Sequence, residues 1–121
     1  MSKLRQRQPR IKNDRHLRWI RTLPSIVSGR RDFIDAAHVR YGDLARGKRD
    51  VGKGERPDDK WAVPLNRAEH MEQHAGSERK FWERHGIDPL STARALYAVS
   101  GDTEAGEAII RMTRNPSLTE T

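Results

Sequence analysis

Two histidines four residues apart, His70 and His74, constrain this chain more than any other feature. The stretch around them reads as a helix from about Asn66 to near Gly76. At that spacing both imidazoles project from one helical face, one turn apart, and can converge on one cation. The apolar run Trp61-Ala62-Val63-Pro64-Leu65 leads into the helix as a strand. Upstream, Phe33-Ile34-Asp35-Ala36-Ala37-His38-Val39 reads as another strand, and it carries a third histidine. The expected order is a strand with one histidine, a loop, a second strand, and a helix with two more.

Composition narrows what such a site could hold. The chain has no cysteine, which excludes disulfides, a thiolate nucleophile and a thiolate metal site. Any metal must be held by histidine, carboxylate or amide ligands. Its 121 residues suit one domain with tails and a modest core. Hydrophobic and charged residues each make up 34%, so much of the chain must stay solvated. No apolar run approaches the ~18 residues that span a bilayer, and no signal-peptide core is visible. The expectation is a cytoplasmic protein with no membrane partner.

Charge is unevenly placed. Residues 1–60 carry 17 Lys/Arg against 8 Asp/Glu, whereas residues 61–121 carry 7 against 9. A basic half beside a near-neutral half points to a polyanion, and nucleic acid is the commonest one inside cells.

Residues 1–12, MSKLRQRQPRIK, have five basic groups and no acid. They read as a disordered basic arm that follows a phosphate backbone or is only a solvated tail. A domain over residues 13–115 and a flexible tail over 116–121 complete the division. Asn13 or Asp14 can cap a helix that runs to about Leu23 and stops at Pro24. Between Arg40 and Lys60 the chain is polar, with four glycines and many cations. Arg40, Arg46, Lys48, Arg49, Lys53 and Arg56 are its candidate phosphate contacts. Ser77 can cap a further helix closed by Gly86, Pro89 can open another, and Asp102 or Thr103 can cap the last. The last helix offers an apolar face of Ala105, Ala108, Ile109, Ile110 and Met112. Trp19, Trp61, Phe81 and Trp82 read as core, and His16 and His85 as solvated on charged helix faces.

The order of these pieces resembles the HNH nucleases of phages and prophages related to the recombination-enhancement nuclease Ref. The resemblance runs from about His16 to Leu96. It rests on His16-Leu17-Arg18-Trp19-Ile20-Arg21-Thr22-Leu23-Pro24, Ala36-Ala37-His38-Val39-Arg40 and Arg56-Pro57-Asp58-Asp59-Lys60-Trp61-Ala62-Val63-Pro64-Leu65. It continues through His70-Met71-Glu72-Gln73-His74, Glu78-Arg79-Lys80-Phe81-Trp82 and Gly86-Ile87-Asp88-Pro89. The fold it implies is α+β: a ββα-metal (HNH, or His-Me finger) core, one preceding helix and two or three following ones. Such proteins typically carry a four-ligand zinc knuckle of three cysteines and a histidine. Here those positions read Ser25, Ser28, Asn66 and Glu69, so no structural zinc is expected.

The activity implied is metal-dependent hydrolysis of DNA. By resemblance His38 is the general base, while His70 and His74 hold one divalent cation, Mg²⁺, Mn²⁺, Ni²⁺ or Zn²⁺. Where many HNH sites place a further ligand just before the base, this chain has Ala37. Asp59 is the first candidate to replace it, as ligand or as the group that orients His38. Asp35 is a weaker candidate, because three residues along a strand puts it on the face opposite His38. Two rival functions remain: a DNA-binding accessory protein on a decayed nuclease scaffold, and a nuclease directed at RNA.

Overall fold

The computed structural model describes residues 11–43, 47–48 and 57–115. The described chain forms an α+β fold: helix α1 (Asp14–Ile20), strand β1 (Ile34–His38), a 3₁₀ turn (Asp59–Trp61) and strand β2 (Ala62–Asn66). Helices α2 (Arg67–His74), α3 (Glu78–His85), α4 (Pro89–Ala98) and α5 (Thr103–Arg114) follow. Among the described residues no helix is long and apolar enough to cross a membrane.

The two strands pair antiparallel, Ile34 opposite Asn66, Ala36 opposite Pro64 and His38 opposite Ala62. Both differ from the sequence expectation by one residue at each end. Phe33 lies outside β1 with φ of 51°, and Trp61 belongs to the 3₁₀ turn instead of β2. Pro64 has no N–H to give, and in an antiparallel ladder its nitrogen and carbonyl point to the same side. That side is the outer edge, where the Pro64 carbonyl accepts from the Ile26 N–H at 3.1 Å. The sheet therefore loses no internal ladder bond to the proline.

Helix ends follow local chemistry. Asn13 caps α1, its side chain accepting from the His16 N–H at 3.0 Å. Ser77 and Asp102 cap α3 and α5 in the same manner, Pro89 sits at the start of α4, and Gly86 closes α3 with φ of 65°. The core gathers around Trp19, Ile20, Leu23, Ile26, Trp61, Leu65, Phe81, Trp82, Leu90 and Leu96, all buried. Buried indoles keep polar partners: Trp19 Nε1 donates to Thr103 Oγ1 at 3.1 Å and Trp82 Nε1 to Glu78 Oε2 at 3.0 Å. Helix α5 comes so close to α1 that a Cβ at Gly106 would stand 2.7 Å from the Trp19 ring.

Three expectations are corrected here. His16 is fully buried instead of solvated, its Nδ1 2.7 Å from Ser100 Oγ and its ring edge-on to Tyr97. Burial lowers its pKa, against the attraction of Asp59. On α5 Ile110 is buried, Ile109 packs half-buried against the core and Ala105 and Ala108 are half-buried, but Met112, expected on the same face, is 50% exposed. The basic arm joins the body at its last residues: Ile11 N–H donates to Asp58 Oδ1, and the Ile11 carbonyl accepts from the Asp59 N–H, both at 2.8 Å. Residues 1–10, and the tail from 116 on, lie outside the described residues.

Candidate functional site

Strand β1 ends on His38, and the 3₁₀ turn before β2 begins on Asp59. Pairing of the strands brings these ends together. His38 Nε2 stands 3.0 Å from Asp59 Oδ1, with the carboxylate side chain 3% exposed and the imidazole 15%. The other carboxylate oxygen accepts from the Asn13 N–H at 2.6 Å. The first residue of the α1 cap thus holds Asp59, and Asp59 holds the ring. A carboxylate on Nε2 requires the proton on that nitrogen, which leaves the basic lone pair on Nδ1.

Helix α2 supplies the second group. His70 Nε2 and His74 Nε2 are 3.3 Å apart, with ring centroids at 5.0 Å. Two imidazole nitrogens bound tetrahedrally to one cation at 2.0–2.1 Å would lie about 3.3–3.4 Å apart. The distance between the two nitrogens is therefore compatible with a shared divalent cation, as it is with a hydrogen bond between the rings. Without a cation, His74 would carry its proton on Nε2 and donate it to His70.

Behind His70 stands Asp35, whose Oδ2 is 3.1 Å from His70 Nδ1 and whose Oδ1 accepts from Arg67 at 3.1 Å. Burial pushes the Asp35 carboxyl up, but hydrogen bonds from Arg67 and His70 outweigh it and hold the carboxyl below its ordinary range. An ionised Asp35 fixes the proton of His70 on Nδ1 and turns the Nε2 lone pair toward His74. Carboxylate–imidazole pairs of this kind orient metal ligands and raise their basicity. Sequence reasoning compared Asp35 only with His38 along the strand and did not find this role. The signal lies in the register: pairing Ile34 with Asn66 sets residue 35 beneath the first turn of α2.

The two groups are joined through Gln73, between the two helix histidines in sequence. Its side-chain amide donates to the His38 carbonyl at 3.2 Å and to Glu78 Oε2 at 2.7 Å. Gln73 is 2% exposed and is the buried residue of α2. Among the described residues no group of three His, Asp or Glu is placed to hold one metal ion. The His70–His74 pair stands without a third His, Asp or Glu as ligand among the described residues.

At the hairpin–helix junction, Ser25, Asn66 and Glu69 come together. Glu69 Oε1 accepts from Ser25 Oγ at 2.6 Å and from the Asn66 N–H at 2.9 Å. Asn66 Oδ1 accepts from the Ala68 N–H at 3.0 Å, and its Nδ2 donates to the Asp32 carbonyl at 2.8 Å. Ser25 Oγ also takes the Val27 and Ser28 N–H groups at 3.0 and 3.1 Å. Ser28 itself turns away: its hydroxyl accepts from the Arg30 N–H at 3.3 Å.

The candidate phosphate contacts divide. Arg46, Arg49, Lys53 and Arg56 lie outside the described residues. Arg40 is half-buried, its N–H donating to Glu78 Oε1 at 3.2 Å. Lys48 is 3% exposed, with Nζ 3.4 Å from the Arg40 carbonyl, and it forms a β-bridge with Asp43. Comparison of the chain with family models, curated proteins and solved structures gives no match.

Proposed function

We propose that this protein is a metal-dependent DNA endonuclease of the HNH, or ββα-metal, type. The observation that carries the reading is the pair of Nε2 atoms on α2, 3.3 Å apart and backed by Asp35, on the helix that follows a hairpin carrying His38 and Asp59. His70 and His74 would hold a divalent cation, and Asp35, bonded to His70 Nδ1, would keep the His70 Nε2 lone pair available to it. When bound, the cation supplies Lewis acidity to the scissile phosphate and its leaving oxygen. His38 takes the proton of the attacking water on Nδ1, and Asp59 stabilises the imidazolium that results. Gln73 keeps β1 and α2 in step.

The same reading assigns Ser25, Ser28, Asn66 and Glu69 to the positions of a lost zinc knuckle. The Ser25–Glu69–Asn66 network supports it at three of the four positions, where a hydroxyl, a backbone N–H and a carboxylate close on one another, while the Ser28 hydroxyl bonds to the Arg30 N–H instead. No structural zinc is then required.

The test is cleavage of supercoiled plasmid with Mg²⁺, Mn²⁺, Ni²⁺ or Zn²⁺, or with EDTA, by wild type and His38→Ala in parallel. At least one cation should support cleavage, and His38→Ala should slow it about 10²- to 10⁴-fold while DNA binding in EDTA survives. Mutant activity within a few-fold of wild type removes His38 from the mechanism. Binding without cleavage under every cation would leave a DNA-binding protein in place of a nuclease.

A further inference from the structure

Phe33 is displayed against two tendencies. It is 68% exposed, and among the described residues it is the one non-glycine position with positive φ, 51°. The left-handed region is disfavoured for a bulky L-residue, and an exposed phenyl ring forgoes burial. Glycine would occupy the turn without either penalty. The backbone is nevertheless clamped there. Asn66 Nδ2 donates to the Asp32 carbonyl at 2.8 Å and the Arg67 N–H donates to the Phe33 carbonyl at 2.9 Å. Strain of this kind, held in place by its surroundings, gathers at sites of function.

The neighbours of the ring suggest what it meets. The Arg67 guanidinium lies 5.8 Å from the ring centroid, is 61% exposed and is tethered by Asp35. Met71, one turn further along α2, is 69% exposed. Arg67, His70, Met71 and His74 fall on one helical face by their spacing. An aromatic ring, a guanidinium and a thioether therefore border the histidine pair. A second copy of this chain fits the patch poorly, since each copy carries a net charge of +7 and the patch has an arginine beside its ring.

We propose that Phe33, with Arg67 beside it, is a stacking platform for an unpaired base of a nucleic-acid strand whose backbone reaches the His70–His74 pair. The inference rests on the nuclease reading and names the strand that the site would take. Stacking on an aromatic ring tolerates any base, while Arg67 answers the phosphate charge.

The test is fluorescence anisotropy of a short labelled single-stranded DNA in EDTA, with full-length wild type and Phe33→Ala, Phe33→Gly and Phe33→Trp, together with the Tm of each. Phe33→Ala and Phe33→Gly should weaken binding roughly 5- to 150-fold, and Phe33→Trp should preserve it. Phe33→Gly should at the same time raise Tm, a divergence that a merely structural role would not produce. Unchanged affinity in Phe33→Ala, or no affinity in wild type, overturns the platform. So does a change of oligomeric state on gel filtration with affinity unchanged. Because EDTA prevents hydrolysis, failure to cleave plasmid leaves this result standing. Conversely, failure of the platform leaves cleavage to be judged by its own assay.

Discussion

Helix α2 carries two polar clusters that behave in opposite ways. At its N-terminal end Glu69 gathers the Ser25 hydroxyl and the Asn66 N–H, and Ser25 and Asn66 are 0% and 3% exposed. One residue further on, His70 and His74 turn two nitrogens toward each other on a face where the His70 side chain is 28% exposed. In the first cluster donors and acceptors are matched to one another within a buried junction, so the groups contribute stability. In the second, two ring nitrogens face each other near solvent, which is the feature the proposed cation site rests on. The junction groups and the histidine pair are thus neighbours on one helix that differ in burial and in partners.

Metal removal should act on the histidine pair and spare the junction. EDTA, or His70→Ala with His74→Ala, should abolish metal binding and lower cleavage by about 10²-fold or more, as expected when several kcal/mol of transition-state stabilisation are lost. Circular dichroism and Tm should stay nearly unchanged. If chelation unfolds the protein, the Ser25–Glu69 junction is not what holds it, because a structural metal contributes folding energy directly.

A smaller effect sharpens the other side. Glu69→Ala leaves the Ser25 hydroxyl and the Asn66 N–H buried without their acceptor, at about 1–3 kcal/mol. Thermal melting should show a drop of several degrees, with the catalytic rate per folded molecule kept. Glu69→Gln retains an acceptor oxygen and should recover part of the loss. A Tm unmoved by Glu69→Ala would make the network incidental.

The smallest effect concerns a third polar group, neither matched nor open. His16 is buried with Nε2 lacking a partner, and burial lowers its pKa from 6.5. Between that lowered value and 6.5 the unfolded chain binds more protons than the folded one. The stability His16 contributes is therefore complete above the unfolded value and lost as the pH falls through the folded one. Tm should decline on acidification below 6.5, and His16→Gln should flatten that decline. Equal slopes for wild type and variant would place the acid sensitivity elsewhere.

Much of this architecture is written in short range. Asn13, Ser77, Gly86, Pro89 and Asp102 mark helix ends because capping and φ preference involve neighbours only a few residues away. The i, i+4 placement of His70 and His74 is equally local, and so the converging pair follows from spacing alone. Which groups meet across long separations depends instead on how the elements pack. His16 sits on an Arg-rich helix, and only the arrival of Tyr97 and Ser100 from 81 and 84 residues away encloses it. Asp35 finds His70, and Asp59 finds both His38 and the Asn13 N–H, through strand register and helix docking. Phe33 is forced out of β1 by a clamp from Asn66 and Arg67 that no local pattern around Phe33 announces. Periodicity says which side of an element is apolar. It cannot say which distant carboxylate, hydroxyl or ring will cover the polar groups beside it, because that depends on where the other elements pack.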